Sequence, residues 1–221
     1  PYSVVVTSDK GELLSAHIAD DGQWRFPESD SIPPKFETAL LYFEDEYFYS
    51  HPGFNPISMV RAMRQNIKAR RIISGGSTIT MQVIRLSRKG QPRTFLEKLK
   101  ELVFALRIEV RYSKEKILEL YASHAPFGGN VVGLEAASWR YFGRPASLLS
   151  WGEAATLAVS PNAPGLIHPG KNRETLLKKR NRLLKKLFAK GKIDSLTFEL
   201  ALDEPLPGKP KALPNITPHL L

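Results

Sequence analysis

Three stretches of this sequence carry residue types that could do chemistry together. The first runs Glu44-Asp45-Glu46-Tyr47-Phe48-Tyr49-Ser50-His51-Pro52-Gly53. Read on a helix, Glu44 has Leu40 and Leu41 one turn before it and Tyr47 and Phe48 one turn after. A carboxylate at the edge of an apolar face is partly desolvated, which lifts its pKa toward that of a useful general base. Three consecutive acids beside a helix C-terminus are also electrostatically unfavourable, so a role in chemistry competes with that of a plain surface acid. The second stretch is Gly75-Gly76-Ser77-Thr78-Ile79-Thr80-Met81-Gln82-Val83-Ile84-Arg85. Glycines followed by hydroxyls at a helix start offer free N–H groups to an anion, and the same pattern also suits an ordinary N-cap. Thr78, Gln82 and Arg85 form a polar stripe opposite Ile79, Val83 and Leu86. In the third stretch, Arg85, Arg88, Lys89, Arg93, Lys98 and Lys100 place six cations within sixteen residues. They could surround a diphosphate, whose oxygens match guanidinium forks, or form a solvated basic face. Glu101 sits among them, three residues after Lys98, where ion pairing would lower its pKa. An ionised acid and one of raised pKa are a pair suited to different roles.

The elements that must position these residues are mostly helical. Residues 3–7 and 13–18 flank Ser8-Asp9-Lys10-Gly11 and read as a β-hairpin. After Pro33-Pro34, Phe36, Leu40, Phe43 and Tyr47 recur at helical spacing. Asn55-Pro56 opens a helix to about Ala69, broken at Ser74-Gly75-Gly76, and another runs from Ser77 to about Ser87. Thr94 to Glu97 is a capping-box pattern, with Phe95, Leu99, Leu102 and Leu106 as the buried stripe of a long helix. Ser113 caps Lys114–Ala122, a glycine-rich turn spans Phe127 to Asn130, and Gly143 closes the helix that follows. Ser150 to Glu153 is a second capping box, on a helix that must end before Pro161. Leu176, Leu183 and Leu187 mark a basic amphipathic helix ending at Gly191, and Asp194 caps a short last one. The expectation is a mainly α fold: a β-hairpin opening over 1–30, the main domain over 31–203, and a proline-rich linker over 204–221.

Composition narrows the classes. The chain has 221 residues, 42% of them hydrophobic, enough for a core, and a net charge of +10 that favours anionic partners. The absence of cysteine excludes disulfide scaffolds, thiolate metal sites and Cys nucleophiles. No apolar stretch is long enough to span a bilayer. There is no Gly-x-Gly-x-x-Gly, Walker loop or His-Glu-x-x-His. The histidines at 17, 51, 124, 168 and 219 lack metal-ligand spacing, so no metal site is expected, and His51 reads as a structural hydrogen-bonder. The helix over 171–192 carries ten Lys/Arg, a weak sign of nucleic-acid binding. Starting at Pro1, the chain reads as a mature or excised fragment.

Taken together the stretches resemble the peptidoglycan glycosyltransferase domain, glycosyltransferase family 51, most like class A penicillin-binding proteins of the 1C type. Five blocks occur in the family's order: Glu44-Asp45-x-x-Phe48-x-x-His51-x-Gly53; Gly75-Gly76-Ser77-Thr78-Ile79-Thr80-x-Gln82; Arg93 to Glu101; Lys114-x-x-Ile117-Leu118-x-x-Tyr121 through Gly128 to Tyr141-Phe142-Gly143; and Glu153-Ala154-Ala155-x-Leu157-Ala158 with Pro161 and Pro164. Met81, Arg85, Glu97 and Ala122-Ser123-His124 depart from the family's usual residues.

The resemblance implies a lysozyme-like glycosyltransferase fold with a hydrophobic segment dipping into the bilayer, and polymerisation of lipid II into glycan strands. By the same analogy Glu44 is the catalytic base, taking the proton of the acceptor 4-hydroxyl as it displaces undecaprenyl diphosphate with inversion. Glu101 is the second acid, near the donor diphosphate. Ser77, Thr78, Gln82, Arg85, Arg93 and Lys98 would contact that diphosphate, Asp45, Phe48 and His51 would also belong to the substrate-binding set, and Phe48, His51 and Gly53 would shape the first block. No cofactor is required, though a divalent cation (Mg or Mn) could assist at the diphosphate. Implied partners are lipid II and the growing strand, the outer leaflet of the cytoplasmic membrane, and a transpeptidase domain beyond the linker. No nucleic acid is implied. A transmembrane anchor would precede Pro1 and hold the domain at the periplasmic face. Moenomycin is an expected ligand, whereas penicillin is not. Three alternatives stay open on the residues alone: a lysozyme-like hydrolase, a basic nucleic-acid-binding module, and a lipid II-binding scaffold weakened by the changes at 122–124.

Overall fold

The computed structural model describes residues 1–9, 12–29, 31–70, 76–88, 94–162, 172–217 and 219, without the side chains of 66 and 95. The residues fall into two compact units, Glu44–Tyr121 and, around it in sequence, Pro1–Phe43 with Ala122–Leu221.

In the larger unit β1 (Val4–Thr7) and β2 (Leu13–His17) form the expected antiparallel hairpin, with Val4 opposite His17. Lys10 and Gly11 of its turn lie outside the described residues. A second small sheet has the order β3-β5-β4, built from β3 (Trp24–Arg25), β4 (Pro126–Gly128) and β5 (Val131–Val132). The glycine-rich turn is thus a strand connection. Helix α1 (Pro34–Glu44) buries Phe36, Ala39 and Leu40, and Phe36 packs against Phe127. α5 (Lys114–His124) continues two residues past the expected end, and α6 (Leu134–Phe142) stops at Gly143, whose φ of 74° suits glycine.

Helix α7 (Trp151–Val159) is the centre of this unit. Seven of its residues, Gly152 and Ala154 through Val159, are buried, so it is apolar all round, as a core helix must be. Its Ser150–Glu153 capping box is complete, with both reciprocal bonds made. α8 (Arg173–Ala189) buries Leu176, Leu183, Leu184 and Leu187, the expected stripe. It also buries Arg180, 1% exposed, whose guanidinium donates to Glu204 O at 2.6 Å and Leu202 O at 3.0 Å. Those carbonyls lie at the end of α9 (Ser195–Asp203), where a cation offsets the helix dipole. Asp194 caps α9, donor Thr197 N at 2.7 Å. The tail from 204 is extended, as its prolines require, but not loose. Lys211 N–H donates to Arg140 O, and Ile216 N–H to Leu14 O, which brings the tail beside β2.

The smaller unit holds α2 (Pro56–Ala69), α3 (Ile79–Ser87), α4 (Phe95–Arg111) and most of α5. Asn55 caps α2 through Ser58 N, as its place before Pro56 predicts. Three expectations are corrected here. The helix bearing Glu44 stops at Glu44, and Phe48–Ser50 form a separate short 3-10 turn, so Tyr47 and Phe48 do not continue its face. On α4 the inward side is Glu101 and Ala105, whereas Leu99 is 51% exposed and Leu102 and Leu106 are half-buried. Thr94 accepts from Glu97 N, yet the Glu97 carboxylate does not return to the cap; it pairs with Arg88 and Lys100. Two cations within reach bind a carboxylate more strongly than one exposed N–H does.

Candidate active site

The site is assembled in the smaller unit around α3. Glu44, at the end of α1, accepts a hydrogen bond from Gln82 Nε2 at 2.7 Å. One turn along α3, Arg85 forks onto Glu101 of α4, Nε to Oε1 at 2.7 Å and Nη2 to Oε2 at 2.8 Å. Gln82 and Arg85 are three residues apart, side by side on one helix face. A single turn of α3 therefore holds both carboxylates. Arg85 lies in the field of both, and its pKa is pushed above the ordinary value, chiefly by its hydrogen bond to Glu101.

Glu101 is buried, 8% exposed, while Arg85 and Lys98 stay partly open to solvent. Lys98 Nζ donates to Ser77 Oγ and lies 3.6 Å from Glu101, and Arg85 Nη2 lies 3.4 Å from the same hydroxyl. Burial pulls the Lys98 pKa below the ordinary lysine value, with Arg85 adding to the effect and Glu101 opposing it. Two cations and a hydroxyl thus converge on one point, an arrangement that suits an anion with several oxygens. It does not suit a divalent cation held by protein. Both Glu101 oxygens are taken by Arg85, two positive charges stand beside them, and among the described residues no group of acids or histidines could hold a metal. Arg88 and Lys100 are drawn away to Glu97, with Arg88 stacked 5.2 Å over Phe104. Lys89, Arg93, Gly75 and Pro164 lie outside the described residues.

The start of α3 differs from expectation. Two of its N–H groups are satisfied internally: Ile79 N donates to Asp45 Oδ2 at 3.2 Å, and Met81 N to Thr78 Oγ1 at 3.2 Å. An internal carboxylate satisfies the helix dipole. Asp45 is also 3.0 Å from His51 Nε2 through each oxygen, so His51 carries its proton on Nε2 and acts as a structural hydrogen-bonder. Thr78 Oγ1 donates to Gly53 O at 2.6 Å. Phe48 is fully buried, edge-on to His51. Asp45, Phe48, His51 and Thr78 therefore shape the site from beneath, while Gln82, Ser77, Arg85 and Lys98 surround its acids.

Residue-by-residue reading missed two features. Tyr121 is fully buried, and its hydroxyl has no hydrogen-bond partner among the described residues. Burial first, and the Glu44 charge second, push its pKa well above the ordinary tyrosine value. Lys114 reaches back to the first block, donating to His51 O at 2.7 Å. Neither contact is local in sequence, so no spacing rule exposes it.

The sequence profile described as Transglycosylase matches residues 10–188. The chain is 40% identical over 219 residues to Penicillin-binding protein 1C of Escherichia coli (strain K12), covering 99% of this chain and 28% of that protein. It is 39% identical over 177 residues to Penicillin-binding protein 1A of Aquifex aeolicus (strain VF5), covering 80% and 24%. The chain thus spans about a quarter of the length of these curated relatives. A crystal structure of Penicillin-Binding Protein 1A from Haemophilus influenzae superposes with a TM-score of 0.51 at 18% identity, over 95% of this chain and 22% of that one. That likeness concerns the fold.

Proposed function

Since the chain belongs to the Transglycosylase family, we propose that it is a peptidoglycan glycosyltransferase that polymerises lipid II at the outer face of the cytoplasmic membrane. The observation that carries this reading is the turn of α3 that holds Glu44 through neutral Gln82 and Glu101 through cationic Arg85. Glu44, which accepts from an amide, is the acid that takes up a proton in the reaction. Glu101, bonded to a guanidinium through both oxygens, orients that guanidinium.

In the proposed reaction Glu44 takes the proton of the acceptor sugar's 4-hydroxyl. The oxygen forms a bond to the anomeric carbon of the donor strand as the bond from that carbon to undecaprenyl diphosphate breaks, inverting the centre. The leaving group departs with both electrons of that bond, and its growing negative charge is met by Arg85, Lys98 and the Ser77 hydroxyl. No step is routed through a metal ion.

The smaller unit also supports a membrane location. Ile57, Val60, Met63 and Ile67 lie along one exposed face of α2, beside Arg61, Arg64 and Lys68. A stripe of that kind, turned outward and flanked by cations, suits an anionic lipid interface. No helix among the described residues is long and apolar enough to cross a membrane. A membrane anchor and a transpeptidase domain belong to the remaining length of the proposed full protein.

Incubation with lipid II should release undecaprenyl diphosphate and yield glycan polymer, with no cleavage of finished glycan. Cleavage of finished glycan without polymer would instead make it a hydrolase.

A further inference from the structure

The smaller unit also contains an enclosed ion pair, between Lys114 and Glu109, that the reaction above does not use. Lys114 opens α5 and Glu109 lies in the last turn of α4. Lys114 Nζ is 2.8 Å from both Glu109 oxygens, and both side chains are largely enclosed. The ammonium also donates to His51 O at 2.7 Å and sits 4.3 Å from the centre of the Phe48 ring. Glu109 Oε1 accepts from Thr80 Oγ1 at 2.5 Å, and Thr80 is the second residue of α3. One ion pair therefore touches the first-block loop at two points, and α3, α4 and α5 at one each.

The loop is pressed against the same place. Gly53 has φ of 85°, and a Cβ there would meet Ala105 O and Glu109 Cγ, each at 2.9 Å. The segments joined here carry the site: the loop bears Asp45, α3 bears Gln82 and Arg85, and α4 bears Lys98 and Glu101. We infer that Lys114, Glu109 and Thr80 are positioning residues that set the register of α3 against α4 and the first-block loop, and through it the placing of Glu44 and the diphosphate cations. This rests on the glycosyltransferase reading. A buried ion pair is a weak source of stability but can select one arrangement over others.

That difference provides the test. Lys114→Met leaves Glu109 buried and unpaired, so it should lower both the melting temperature and kcat for lipid II polymerisation. In Lys114→Met/Glu109→Gln no buried charge is unpaired, and glutamine still reaches Thr80. The double variant should melt within about 2 °C of wild type. His51 O and Phe48 remain without their cation, so its kcat should stay down by about tenfold. Amide exchange over residues 45–53 and 76–88 reads the same device whether or not the protein turns over, and should be faster in the double variant. The inference is overturned if kcat recovers together with the melting temperature, or if exchange in both segments matches wild type. A wild-type protein that makes no polymer contradicts the functional reading instead, and amide exchange then still decides for or against the positioning role.

Discussion

At the residue scale the two acids are told apart by what α3 offers them. Gln82 gives Glu44 a neutral donor, and a hydrogen bond to a charged group is worth about 1.5–3 kcal/mol. Gln82→Leu should therefore lower kcat by about tenfold or more with little change in KM, since the base is misplaced and the diphosphate contacts are intact. Lys98 gives a pH prediction. Its folded pKa lies below the ordinary value, so the ammonium loses its proton earlier on the alkaline side than a free lysine would. The sign for folding is opposite. Between the folded and unfolded pKa values the unfolded chain binds more protons, so this group makes the fold more stable as pH rises. A fall in kcat/KM in that window therefore reports a weakened grip on diphosphate, not unfolding. Lys98→Arg, which keeps its charge, should move the alkaline limb of the kcat/KM profile to higher pH; an unmoved limb would assign it to another group.

At the element scale, positions in the site depend on a few close approaches. Gly53→Ala should lower the free energy of unfolding by about 1–3 kcal/mol, measured by urea denaturation, because both its φ and its contact with α4 exclude a Cβ. Equal stability would show that the loop is not pressed against α4. Helix ends were the most legible part of the sequence. Asn55, Ser150 with Glu153, Gly143 and Asp194 act through residues three to five positions away, which a linear reading captures. What was not legible depends on contacts distant in sequence. Strands of two residues, such as Trp24–Arg25, have no period to detect. The leucine spacing of α4 marks a helix but not which side meets a partner, so Leu99 faces outward and Glu101 inward. The free N–H groups expected at the start of α3 depend on Asp45, thirty-four residues earlier, not turning inward. Glu97 matched the capping pattern, and only the fold brings Arg88 beside it.

At the scale of the whole molecule, the net charge of +10 and the outward apolar faces belong together. Besides α2, helix α4 exposes Leu96, Leu99, Val103 and Val110, with Val110 91% open. Exposed apolar stripes on a cationic chain favour an anionic bilayer. Sedimentation with phosphatidylglycerol vesicles should show binding that weakens as salt rises yet persists in part through apolar insertion; Ile57→Asp/Ile67→Asp should remove the salt-resistant part. Loss of all binding at high salt in the unsubstituted chain would reduce the contact to charge alone. The tail also belongs to this scale: its hydrogen bonds run along the larger unit from Arg180 to β2, although its prolines read as a plain linker.

The central claim is that Glu44 is the base of a glycan-forming displacement. Its most direct test is the rate of polymer formation from labelled lipid II in detergent by wild type and Glu44→Gln, with lipid II binding measured on both. The account predicts polymer from the wild type and a rate lower by roughly 10²–10⁴ in the variant, with binding retained. Equal rates, or a wild type that binds lipid II and never links it, would contradict it.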